Sequence, residues 1–319
     1  MDFWTIVGLL CLISRIEAYK PDIVLVFGWN FISHLKVMRY FKGKVPVWFR
    51  GDSTLLDEQP GFKTQLRRKV LSFVYRYVDK ALYVGKANKA YYLKHGLEDS
   101  QLIYVPHAVD NERYKNNAKD YDQSAYIWRK ELGYNEEDIV VLFAGKLESK
   151  KQPEFLLKAV QRANINRELP LKLLFVGTGK LDMYLKELAK DEDNIRFEPF
   201  QNQSLMPVVY RLGDVFCLPS KGPGETWGLA LNEAMASKRA VIASDKVGSC
   251  QDLIINRKNG FVFTYNQPEE LLDILEGLNK MKLAQMGANA FENIDNWSYE
   301  ILVNSILKAL NHTDKANTN

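Results

Sequence analysis

Apolar runs alternating with amphipathic helical stretches, in two successive halves of the chain, predict an α/β fold of two Rossmann-like, doubly wound units in tandem. Three observations carry this. Short continuous apolar runs such as 23–27, 139–144 and 240–243 fit strands of parallel sheets covered on both faces. The length, 319 residues, is long for a single core. Hydrophobic density falls over 110–124, a stretch rich in Asn, Lys and Asp that reads as a linker between the halves.

Taken in order, the apolar stretch 3–16 is too short to span a bilayer, lacks a basic leader and is closed off by Arg15, Glu17 and Lys20. It predicts a buried helix leading into a strand. Strands follow at 23–27, 45–49 and 80–84, with amphipathic helices over 30–41 and 63–78, and the run 102–106 ends this half. A complete unit of this class opens on a strand and a glycine-rich turn, whereas this chain begins inside a helix. The second half predicts strands at 139–144, 171–176, 195–197, 215–218, 240–243 and 260–263. Ligands are expected at the carboxyl ends of the strands, in a cleft between the units.

With 46% hydrophobic and 26% charged residues, the composition is that of an ordinary globular protein. A net charge of +4 without zinc-ligand spacing argues against nucleic-acid binding. Between Lys63 and Lys94 nine cations face a single acid, Asp79, with Val70, Leu71, Phe73, Val74 and Tyr77 interleaved. Two readings stand for this segment: a helix resting on anionic lipid headgroups, or a solvated basic face over an ordinary core stripe. Cys11, Cys217 and Cys250 are scattered and odd in number, which points to a reducing compartment and a cytoplasmic protein.

The segment 219–236 holds two glutamates, Glu225 in the turn Gly222-Pro223-Gly224 and Glu233 in a run of good helix formers. A helix beginning near Thr226 would offer free N–H groups to a diphosphate. Glu233, acceptor-only when ionised, suits a ribose or sugar hydroxyl. The competing reading makes Glu225 a first-turn residue favoured by the helix dipole and Glu233 a solvated one. After the strand 139–144, Gly145-Lys146-Leu147 runs on to Lys151, placing a glycine and cations where a strand meets a helix. The turn Gly177-Thr178-Gly179-Lys180 is neither a Walker A loop, having Leu174 and Leu181 at its fixed positions, nor a dinucleotide fingerprint, having Asp182 for the third glycine. Asp191-Glu192-Asp193 reads as a charged surface turn. In the loop after 45–49, Asp52 is either an acceptor-activating base oriented by Arg50 or the cap of the following helix.

In this order the motifs resemble the donor-binding region of the retaining nucleotide-sugar glycosyltransferases of GT-B fold, in particular glycosyltransferase family 4. The resemblance covers about residues 80 to 310 and is weaker before them. It implies a donor-binding domain over 115–298 and a partial acceptor-side domain over 1–114, its first strands missing, completed by a returning helix at 299–311. The family's Gly-Arg-Leu turn is matched with Lys146 in the Arg position and Lys151 in the Lys position, while Gln152 replaces the usual Gly. His107 and Ala108 depart from the family's Pro-Asn-Gly-Val-Asp segment, and His107 is expected to line the cleft with Arg50.

The implied activity is transfer of a hexosyl group from a UDP- or GDP-sugar to a saccharide or lipid-linked saccharide, in cell-surface glycan synthesis. Lys146 and Lys151 would stabilise the leaving diphosphate, Glu225 would hold donor-sugar hydroxyls, and Asp52 would serve the acceptor. Gly145, Gly177, Gly179, Gly224, Thr226, Trp227, Gly228 and Glu233 would line the donor site. No metal and no cofactor are implied beyond the nucleotide sugar as co-substrate, and peripheral membrane contact is an expectation. The alternatives are a non-catalytic nucleotide-sugar-binding remnant, a sugar-nucleotide epimerase, and a nicotinamide-dependent oxidoreductase, the last disfavoured by the failed fingerprint.

Overall fold

The computed structural model of the protein describes residues 3–165 and 167–317, with side chains for 11–165 and 167–311. The chain forms two compact units, Met1–Pro106 with Val303–Asn319, and His107–Leu302. The sequence expectation placed these divisions at 114/115 and 298/299.

In the first unit, α1 (Phe3–Ala18) leads into β1 (Val24–Phe27), then α2 (Ile32–Phe41), β2 (Val47–Arg50), α3 (Phe62–Tyr75), β3 (Lys80–Tyr83), α4 (Lys86–Lys94) and β4 (Leu102–Tyr104). The strands are parallel and stand in sequence order, β1-β2-β3-β4, with no reversal. Val26, Phe49, Leu71, Ala81 and Tyr92 belong to the core between sheet and helices. The edge strand β1 alternates, with Val24 and Val26 buried and Leu25 and Phe27 exposed, so only one of its faces is covered. The expected buried N-terminal helix is a surface helix over 11–18: Leu12 and Ile16 pack on the core half-buried while Cys11, Arg15 and Glu17 are exposed. The side chains of 3–10 lie outside the described residues.

The second unit begins with α5 (Asn111–Lys115) and α6 (Ala118–Glu131), which occupy the stretch expected to be a linker. The polar composition misleads because α6 presents a narrow contact face. Arg129 ties it to Asp214 and to the carbonyls of Leu212 and Asp138, and its Asp122 receives Arg211. Thereafter come β5 (Val140–Ala144), α7 (Pro153–Asn164), β6 (Lys172–Val176), α8 (Asp182–Leu188), β7 (Ile195–Glu198), α9 (Met206–Leu212) and β8 (Val215–Leu218). The unit closes with α10 (Leu229–Ala236), β9 (Ala240–Ser244), α11 (Cys250–Leu253), β10 (Gly260–Phe263), α12 (Pro268–Glu276), α13 (Lys280–Asn293) and the start of α14 (Tyr299–Asn317).

Its six parallel strands stand in the order β10-β9-β8-β5-β6-β7, a doubly wound sheet. The order reverses between β5 and β8, which pair through Val141–Val215 and Leu142–Phe216. Strands β5, β8 and β9 are buried nearly throughout, as a sheet covered on both faces requires. A crevice at the carboxyl ends of β5 and β8 is the place where such sheets take ligands.

Candidate functional site

The loop leaving β5 and the loop leaving β8 meet at this switch point. Lys221 joins them, its N–H donating to the Lys150 carbonyl at 3.0 Å and its Nζ to Ser149 Oγ at 3.2 Å. Lys151 Nζ donates to Glu225 Oε2, and the Ser220 hydroxyl donates to the same oxygen at 2.9 Å. The pair is largely shielded from water, with side-chain exposures of 20% for Lys151 and 12% for Glu225. Glu225 Oε1 accepts no hydrogen bond among the described residues, so an acceptor is left beside a cation. Lys146, one turn of loop earlier, is exposed and its side chain has no partner among the described residues.

The second glycine turn lies against the first. Gly145 N–H donates to Val176 O at 2.9 Å, Leu147 N–H to Thr178 O at 3.1 Å, and Leu181 N–H to Leu147 O at 3.0 Å. A Cβ on Gly177 would stand 2.1 Å from the Gly145 carbonyl oxygen, and one on Gly179 would stand 2.4 Å from that of Leu147. These glycines are therefore required by the apposition of two backbones, whatever else they line.

The helix expected to start near Thr226 starts at Leu229, with Gly228 as its left-handed N-cap at φ 91°. Gly224, Glu225, Thr226 and Trp227 lie in the preceding turn. That turn is clamped to the loop after β9 by Gly248 N–H on Glu225 O at 3.0 Å and Ser249 N–H on Trp227 O at 3.0 Å. The first amides of α10, Leu229 and Ala230, have no carbonyl to meet within their own helix, so an anion acceptor stands about one turn later than expected. Trp227 does not face outward. Its ring is buried, its Nε1 donates to Asn232 Oδ1 at 2.8 Å, and it packs 5.6 Å from the His107 ring.

Glu233 is half-buried rather than a solvated face residue. Tyr210 donates to its Oε2 at 2.7 Å and Gln203 Nε2 to its Oε1 at 2.9 Å, while Gln203 also reaches the Tyr114 hydroxyl at 3.1 Å. Burial, and after it the charge of Glu233, pushes the phenols of Tyr114 and Tyr210 far above their ordinary range, so both stay protonated. Each Glu233 oxygen keeps room for a second hydrogen bond. Ser220, Gln203, Tyr210 and Tyr114 went unseen in the sequence motifs. Ser220 alone had a signal, its place five residues before Glu225.

Arg50 and Asp52 lie in the first unit. Arg50 Nη1 donates to Val105 O at 3.0 Å and its Nη2 to Pro106 O at 3.4 Å, so its fork holds the segment leaving β4. Burial lowers its pKa from the ordinary value, partly offset by Tyr92 and Asp52. Asp52 does not cap the next helix, because α3 begins at Phe62 with Gly61 as its N-cap. The loop around it is held by Tyr92 OH on Gly51 O at 2.9 Å and Asn88 Nδ2 on Ser53 O at 2.8 Å. The Asp191–Asp193 run is a turn before β7, and no cluster suited to a metal ion occurs among the described residues.

Parallel sheets, a switch point and a carboxylate–lysine pair beside glycine turns define a GT-B-like α/β protein. Comparison with known proteins agrees: the family described as "Glycosyl transferases group 1" matches residues 125–293, and the chain belongs to that family. It is 31% identical over 234 residues to a D-inositol 3-phosphate glycosyltransferase of Rhodococcus erythropolis, covering 69% of this chain and 50% of that protein. A phosphatidyl-myo-inositol mannosyltransferase of Mycobacterium tuberculosis is 34% identical over 147 residues, 46% of this chain and 35% of that one. The Anabaena protein HepE, solved with UDP, has the same fold at a TM-score of 0.77 and 18% identity, over 95% of this chain and 82% of that chain. The chain spans about half the length of the first curated relatives it matches.

Proposed function

We propose that the chain is a retaining glycosyltransferase of the family 4 type that takes its hexosyl group from a nucleotide diphosphate sugar. The observation that carries this reading is the Lys151–Glu225 pair at the switch point of the second sheet, with one oxygen of Glu225 open. Lys151, the exposed Lys146 and the amides of Leu229 and Ala230 supply positive potential for a diphosphate, and that potential gains most as the anomeric carbon–oxygen bond breaks. Glu225 Oε1 accepts from a donor-sugar hydroxyl, and Glu233 accepts from the ribose beside Tyr210 and Gln203. The acceptor oxygen bonds to the anomeric carbon on the face the diphosphate leaves, and its proton passes to the diphosphate. No metal ion or further cofactor has a part in this scheme. The acceptor is a saccharide or lipid-linked saccharide that meets the first unit, and the protein works in the cytoplasm.

HepE, a fold neighbour, is solved with UDP and with UDP-glucose, which favours a uridine nucleotide as the first donor to try. The test is calorimetric titration of the purified chain with UDP, GDP, ADP and their sugar conjugates, alongside Lys151→Ala and Glu233→Ala. Selective binding that weakens about 10- to 100-fold in each variant is expected, since one hydrogen bond to a charged group is worth about 1.5–3 kcal/mol. A folded chain that binds none of them removes the assignment. Binding without sugar transfer to any offered acceptor instead supports a nucleotide-sugar-binding protein that does not catalyse.

A further inference from the structure

Helix α3 is apolar on two sides. Leu71, Val74 and Tyr75 are buried against the core of the first unit, as an amphipathic surface helix requires. A second stripe points the other way: Phe62, Leu66, Val70 and Phe73 are 79%, 53%, 50% and 56% exposed. At 3.6 residues per turn these positions fall within about a quarter of the helix circumference, on the side away from the buried stripe. Four exposed cations border it, Lys69 and Arg76 along one edge and Lys63 and Arg67 along the other. None of the four is paired with a carboxylate among the described residues, whereas Arg68, turned from the stripe, is bound to Glu58. The helix carries no acid at all.

An exposed apolar stripe normally marks a surface that something covers. Here the flanking charge decides what covers it. A second copy of this chain would bring the same cations against themselves, whereas a bilayer containing anionic lipid offers hydrocarbon for the four apolar side chains and phosphate for both basic edges. Arg and Lys stems reach past the apolar level to keep their heads among headgroups. No described helix is long and apolar enough to cross a membrane. We propose that α3 docks the protein onto an anionic membrane surface, lying in the interface plane with Phe62, Leu66, Val70 and Phe73 inserted. This inference stands on α3 alone and is independent of the donor site.

The whole chain is tested by co-sedimentation with vesicles of phosphatidylglycerol and phosphatidylcholine in equal parts, and with pure phosphatidylcholine. Binding to the anionic vesicles at low salt, release at roughly 0.5 M salt and no binding to the neutral ones are expected. Arg67→Gln combined with Lys69→Gln lowers partitioning about 25-fold, about fivefold per cation. Leu66→Ser combined with Phe73→Ser abolishes it. All four positions are exposed, so the unfolding midpoint of each variant should match that of the parent. Equal binding to neutral vesicles, or parent-like binding by both variants, overturns the proposal. So does sedimentation velocity showing a dimer that Leu66→Ser and Phe73→Ser dissociate, which would make the stripe a contact between copies.

Discussion

Gln152 stands at φ 52°, ψ 46°, the left-handed conformation that costs a side chain about 1–2 kcal/mol and glycine almost nothing. It is the position where the family usually has glycine, and its Oε1 is buried without a partner. Gln152→Gly relieves that strain at the cost of about 0.5–1 kcal/mol of chain entropy, so denaturant unfolding should show a net gain of about 0.5–1 kcal/mol. The opposite sign is expected at Gly177. There φ is +138° and a Cβ would meet the Gly145 carbonyl oxygen at 2.1 Å. Backbone cannot yield as a side-chain end does, and Gly177→Ala should cost at least about 2 kcal/mol by the same measurement. Its glycine was legible in the sequence as a turn, but not its reason, because the neighbour it must clear comes from another strand.

At the scale of elements, the strands were legible and one pair of helices was not. Runs such as Val140–Ala144 are apolar throughout because both faces of the second sheet are covered, and that leaves a trace in any sequence. By contrast α6 buries little beyond Ala125 and is held by charged side chains, so its residues look like a linker. Arg211 of α9 is the other half of that contact, bonded to Asp122 and to the carbonyls of Pro207 and Tyr114. Arg211→Leu leaves buried carbonyls without their donor and should cost about 2–4 kcal/mol, read as a lowered denaturation midpoint. Hydrogen exchange in α5 and α6 should rise most. The late start of α10 has a similar origin: Gly228 takes a left-handed cap and Trp227 turns inward to Asn232, choices that the helix-forming residues after them do not reveal.

At the scale of the whole molecule each unit carries its own core, and the first holds a pH-sensitive group. His95 is buried beneath Tyr91, whose carbonyl it meets through Nδ1 at 2.7 Å, and burial lowers its pKa below the ordinary 6.5. It is therefore neutral in the folded chain while the unfolded chain takes up a proton as pH falls. The stability associated with the neutral ring is fully present above about pH 6.5 and is lost below it, through the lowered folded value. Thermal midpoints should fall from pH 7 to pH 5, with faster amide exchange in β2, β3 and α4. His95→Phe should flatten that profile; an unchanged slope in the variant would assign the acid sensitivity to other groups.

By itself the sequence determined two α/β halves, nine of the ten strands, the glycine turns, and the acid and cations of the candidate donor site. Each of these is a local property, because burial on two faces demands apolar runs and loop chemistry demands glycine. The tertiary structure decided which residues meet. Lys151 and Glu225 lie 74 residues apart and come together because the strand order reverses between β5 and β8. Glu233 is held by Tyr210 and Gln203, 23 and 30 residues away, through the packing of α9 on the sheet, and no spacing rule links them. Strand order and helix packing are set by the energy of the assembled core, to which every residue contributes and which no short segment records.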